Sequence, residues 1–127
     1  MKVLLDTNRL SDALAEDDDV LDCLEAAEAI LVPVIVLGEL RAGFMGGKRA
    51  AQNEERLQWF LSQDGVAALP VDGPVSHRYA EIHRVLRRAG APIPTNDLWI
   101  AALAIEHGLA LYSRDVHFGR VPGLARI

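Results

Sequence analysis

Residues 95–115, TNDLWIAALAIEHGLALYSRD, hold a helix, a breaker and a strand in succession, with an acid near each end. From about Asn96 to His107 the apolar residues Leu98, Trp99, Ile100, Leu103 and Ile105 fall nearly all the way round a helix, and a helix of that kind must be central. Gly108 ends it, and Leu109–Tyr112 (LALY) reads as a buried strand. A central helix that turns directly into a short aliphatic strand is half of an α/β unit.

The same grammar runs outward through the chain. Val3, Leu4 and Leu5 read as a first strand, ended by Asp6 in VLLDTN. The segment DDDVLDCLEAAEA spaces Val20, Leu24 and Ala27 as a helix, with Asp17, Asp18 and Asp19 at its favourable N-terminal end. Ala29–Val32 is a second strand, and Pro33 is expected at the first position of a helix that carries Leu37, Leu40 and Phe44 and stops at Gly46 and Gly47. A helix around Leu57, Phe60 and Leu61 leads to a third strand at Val66–Leu69. Residues 74–89 form an amphipathic helix with the stripe Val75, Tyr79, Ile82 and Leu86, and LARI at 124–127 is expected to be a fifth strand. Strands alternating with helices predict a three-layer α/β/α sandwich with a mainly parallel sheet of four or five strands, spanning 1–127 as a single domain.

Composition narrows the function. A single cysteine, Cys23, excludes an internal disulfide and a zinc site of paired cysteines, and its apolar helical setting reads as core. The apolar runs are too short to span a bilayer and the N-terminus lacks a signal-peptide layout, so a cytoplasmic protein with no membrane partner is expected. Thirteen basic against 18 acidic residues give a net charge of −5, which argues against a passive nucleic-acid binder. Removing four ligand acids from −5 leaves only −1, so a metal-dependent nucleic-acid enzyme stays open.

The acids follow from the topology. In an open parallel sheet, chemistry gathers at the carboxyl ends of the strands. Asp6 follows the first strand directly, Asp115 follows LALY with two residues between, and Asp97 opens the helix that runs antiparallel into LALY. Each alone can be a cap or a turn residue. Together on one rim they would repel, and hard cations such as Mg²⁺ or Mn²⁺ relieve that repulsion. Glu39 lies about 9 Å along the helix after Pro33 and leans back toward the same rim. As an acid in the mostly apolar VIVLGELRAGF it needs either a metal or an ion pair with Arg41 or another arginine.

LLDTN, VIVLGELRAG and TNDLWIAALAIEHGLALYSRDVHFGRVPGL together resemble a PIN domain, specifically the VapC-type toxins of toxin–antitoxin pairs. The likeness runs from residue 3 to about 124 and is least specific over 48–94. It implies that Asp6, Glu39, Asp97 and Asp115 are the catalytic acids, with Asp6, Asp97 and Asp115 holding Mg²⁺ or Mn²⁺ and Glu39 either ligating or orienting water. It also implies support from Thr7, Asn8, Asn96 and Ser113. The expected activity is endoribonucleolytic cleavage of RNA, with tRNA a frequent target and translation inhibited as a result. The implied partners are a VapB-type antitoxin and a second copy of the chain. RNA contacts are expected from Arg41, Lys48 and Arg49, which lie in one region with Arg56. Arg84, Arg87 and Arg88 form a second basic cluster, and ordinary solvated surface is the alternative for both. Arg9 either pairs within the acidic rim or meets phosphate, and His117 is expected to support the site or pack its loop rather than ligate. An aspartyl-phosphate enzyme, which also places Asp after a first strand, would need a lysine after a late strand, and the only lysines are Lys2 and Lys48. The rival of another class is a catalytically silent PIN-like module that only binds RNA or protein.

Overall fold

Val3, Leu4 and Leu5 have no exposed surface because their strand, β1 (Lys2–Leu5), lies inside the sheet with neighbours on both edges. The computed structural model describes residues 1–127. After β1 come α1 (Thr7–Leu14), α2 (Asp18–Glu25), β2 (Ala29–Pro33), α3 (Val34–Met45), α4 (Ala50–Leu61) and β3 (Val66–Leu69). Then follow α5 (Gly73–Arg88), α6 (Thr95–His107), β4 (Ala110–Tyr112) and a 3₁₀ helix (Val116–Arg120).

All strands are parallel, in the order β3-β2-β1-β4. The chain steps outward from β1 to β3 and then crosses back to place β4 on the other side of β1. Right-handed crossovers therefore put α1–α4 on one face and α5 and α6 on the other. The packing agrees, since α5 lies against α6 while α1 contacts α3 and α4. The reversal of direction falls between β1 and β4, the place where open α/β sheets form a crevice at their carboxyl edge.

The expected central helix is α6, in which Ile100, Ala101, Ala102, Leu103 and Ala104 are 0–1 % exposed. It ends at Gly108, whose φ of +63° needs the left-handed conformation that glycine adopts without strain. Cys23 is half-buried and packs against a single core of 28 buried residues, so it lies at the core's margin. No helix is long and apolar enough to cross a membrane.

Two expectations need correction. Pro33 does not open a helix. Its ψ of 139° keeps it extended, where it pairs with Leu69 as the last residue of β2, and the helix begins at Val34. LARI is not a fifth strand but a fringe on β4. Leu111 N donates to Ala125 O (2.8 Å), Ile127 N donates to Leu111 O (3.0 Å), and Leu111 bridges Arg126. Only Leu124 packs against the core while 125–127 are exposed, so no alternating face is available to bury along a strand.

The fold's dependence on α6 is measurable by urea denaturation. Leu103→Ala should cost about 2–5 kcal/mol, because the side chain is wholly enclosed and leaves a cavity. Val116→Ala, at an 81 % exposed residue, should stay within about 0.5 kcal/mol of wild type.

Candidate metal centre and active site

Leu5 pairs with Tyr112, so β1 and β4 end level and deliver Asp6 and Ser113 to one edge side by side. Asp6 then caps α1: one carboxylate oxygen accepts from the Arg9 backbone N–H at 2.9 Å. The other accepts a short hydrogen bond from the Ser113 hydroxyl. That hydroxyl oxygen accepts in turn from the Asp115 backbone N–H at 3.0 Å. Asp115 caps the 3₁₀ helix by accepting from His117 N–H at 2.9 Å. The local and the collective explanations of Asp6 and Asp115 therefore both hold, since the caps are what fix these carboxylates in place.

Asp97 reaches the site from the third residue of α6. The Nδ1 atom of His117 lies 3.1 Å from Asp115 Oδ1 and 3.4 Å from Asp97 Oδ2. It is buried and makes no well-formed hydrogen bond. One donor atom from each of Asp97, Asp115 and His117 lies within 4.8 Å of the others. Burial pushes the Asp97 carboxyl above its ordinary range, and the Asp115 charge adds to this. His117 opposes the shift, and Glu39 contributes a smaller push upward. A carboxylate penalised by burial and by a second carboxylate, with one histidine nitrogen shared between the two acids, marks a centre short of positive charge. The residues present fit a divalent cation.

The other expected residues fall in different places. Asp6 is 5 % exposed and connects to the centre through Ser113, outside the tight group of three. Glu39 is exposed, contrary to the buried position expected for it, and its charge reaches Asp97 across the rim. It does not pair with Arg41, whose guanidinium forks onto Glu54 instead (2.8 and 3.1 Å). That fork raises the Arg41 pKa and lowers that of Glu54, and it commits a side chain expected to face RNA. Thr7 is half-buried, and Asn8 and Asn96 are exposed beside the acids. Lys48 and Arg49 are exposed on the turn between α3 and α4. Arg9 packs over the Tyr112 ring, 4.4 Å from its centroid, and its terminal nitrogen lies 3.5 Å from Asp12. Arg9 therefore neither neutralises the centre nor stands free for phosphate. His117 is the residue drawn closest to both acids. Its signal was the spacing in DVHF, where a histidine two residues after a capping acid is turned back onto that acid by one 3₁₀ turn.

The family model of the PIN domain matches residues 3–124. The chain belongs to the PIN domain family. Among PIN proteins it is similar to ribonuclease VapC4 of Mycobacterium tuberculosis, 34% identical over 72% of this chain and 70% of that protein. Ribonuclease VapC2 of Rickettsia felis is 31% identical over 98% of this chain and 95% of its own length. A chain in the crystal structure of VapBC2 from Rickettsia felis, bound to a DNA fragment from their promoter, superposes with a TM-score of 0.90. That superposition covers 100% of this PIN domain chain and 98% of the other, at 30% identity.

The raised Asp97 pKa has a definite sign for stability. The folded state holds the Asp97 proton more tightly than the unfolded chain does, so stability falls as pH rises from the unfolded value through the raised folded one. The ionised carboxylate is therefore a cost at neutral pH. In EDTA, Asp97→Asn should melt higher than wild type at pH 7, and the difference should shrink as pH falls toward 4, near the ordinary aspartate value. Thermal melts across that range check it.

Proposed function

We propose that this PIN domain is a Mg²⁺- or Mn²⁺-dependent endoribonuclease, the toxin of a VapBC-type module that acts in the cytoplasm. The single observation that carries the reading is the convergence of Asp97, Asp115 and His117, with the Asp97 carboxyl held above its ordinary range. Asp97 and Asp115 would hold the cation, with His117 at its side and Asp6 behind Ser113. When bound, the cation supplies charge neutralisation for the phosphate and a lowered pKa for water.

The chain's own residues do the rest. Ser113 fixes the spacing of Asp6 and Asp115 by accepting from one backbone and donating to the other carboxylate. Glu39, exposed and close enough for Asp97 to feel its charge, is placed to orient the attacking water or to add a ligand. α6 has no side-chain cap, so its first N–H groups face the rim beside Asp97 and favour a phosphate oxygen. Lys48 and Arg49 supply positive charge away from the acids. No side chain serves as a covalent nucleophile.

The relatives' names support the choice of RNA and of a restraining partner, since they are called ribonucleases and a neighbouring structure is a VapBC complex. By this reading a VapB-type antitoxin restrains the chain in a hetero-oligomer built on a toxin homodimer. Transfer RNA is the substrate, and translation stops when it is cut.

The test is cleavage of total RNA by purified protein with Mg²⁺ or Mn²⁺. Wild type should cut, EDTA should stop it, and Asp97→Asn and Asp6→Asn should fall to background. Asparagine at position 6 preserves the helix cap, so its loss of activity would report on charge rather than on folding. Ser113→Ala should lower metal affinity or activity by about 10–100-fold, the usual effect of removing a group that orients ligands. A wild type that binds antitoxin but cuts no RNA under any metal would make the chain a silent binding module.

A further inference from the structure

Between α5 and α6 lies a cavity of about 300 Å³ that the acidic centre does not use. Tyr79, His83 and Arg87 line it from one face of α5, and Ile93, Thr95 and Leu98 close it from the other side. Its aromatic wall is rigid: Tyr79 stacks on Trp99 with ring centroids 4.0 Å apart, and His83 stacks on Tyr79 at 6.1 Å. Its far wall is stiff as well, because Ile93 sits between Pro92 and Pro94 and Arg120 donates to the Pro92 carbonyl at 2.8 Å. Of the four arginines on α5, only Arg78 is ion-paired, to Glu81 and Glu106. Arg84, Arg87 and Arg88 are exposed together beside the cavity, on a chain whose net charge is −5.

We propose that this cavity binds one unpaired nucleobase of an RNA strand, with Arg87 and its neighbours Arg84 and Arg88 holding the adjoining phosphates. The proposal rests on the ribonuclease reading and names how the substrate is gripped. A cavity with an aromatic wall and a cationic rim is the combination that single-stranded nucleic acids need, one part for the base and the other for the backbone. The volume is at the small end for ligand sites and suits a single flat ring system. Thr95 lines the cavity two residues before Asp97, so the first turn of α6 separates the base slot from the acids. A strand crossing that turn has a base on one side of it and a phosphate at the acidic centre on the other. The acids repel RNA, and this arrangement supplies the attraction from a surface next to them.

Binding is measured by fluorescence anisotropy in EDTA, so that no cleavage intervenes, using a single-stranded RNA hexamer and an abasic oligomer of the same length. Wild type should bind the hexamer about tenfold more tightly than the abasic strand, as expected for one stacked base. His83→Ala, at an exposed residue, should erase most of that preference. Arg87→Gln should weaken both ligands and reduce the slope of log affinity against log salt by about 0.7, the signature of one lost phosphate contact on a single strand. Equal affinity for the two oligomers, or variants within about twofold of wild type, overturns the proposal. So does a result in which the variants change only the protein's sedimentation or its affinity for an antitoxin, which would make the cavity a protein-docking surface. Cleavage assayed alongside keeps the two readings apart. Base-dependent binding without metal-dependent cleavage upholds the cavity and removes the nuclease, whereas cleavage without base-dependent binding removes the cavity alone.

Discussion

Asp6 is the only charged side chain buried in this chain, and the rim of the sheet is organised around it. A buried carboxylate needs hydrogen bonds to replace its lost water. Asp6 obtains one from the start of α1 and one from Ser113, which follows β4. The bond from Ser113 joins the ends of adjacent parallel strands across a sequence separation of 107, while the bond from α1 is local. Through Ser113 the connection continues to Asp115 and His117. A hydrogen-bond chain that satisfies one buried acid thus sets the position of the next.

The centre itself is left unsatisfied, and that contrast carries its chemistry. Asp97 is placed by the most deeply buried helix of the fold, so it cannot retreat from Asp115 without disturbing the core. Its carboxyl is raised by burial and by that neighbour, and His117 only partly offsets the strain. Packing of α6 against the sheet and α5 stabilises the molecule well enough to hold the mismatch. The same rigidity keeps the donor atoms together for a cation, and the ionisation cost at neutral pH disappears when positive charge arrives.

Much of this was legible in the sequence because it depends on local pattern and on topology. The strands announce themselves as short aliphatic runs, and a parallel sheet must collect Asp6, Asp97 and Asp115 at one edge whatever the details. What was not legible depends on facing and on distant partners. α3 is apolar nearly all round, so periodicity could not say which side Glu39 faces, and it proved exposed. Arg41 looked free until the packing of α3 on α4 brought Glu54 to it, 13 residues on. Pro33 suits a strand end as well as a helix start, and only pairing with Leu69 distinguishes them. His117 required the handedness of a single 3₁₀ turn, which residue spacing suggests but does not establish.

The most direct measurement is anomalous diffraction from crystals soaked in Mn²⁺. An ion should appear at ligand distance from carboxylate oxygens of both Asp97 and Asp115, with His117 beside it and Asp6 held back by Ser113. Well-ordered crystals that bind Mn²⁺ only elsewhere, or that keep Asp97 and Asp115 free of it at saturating concentration, would contradict the claim that these acids are gathered to share a cation.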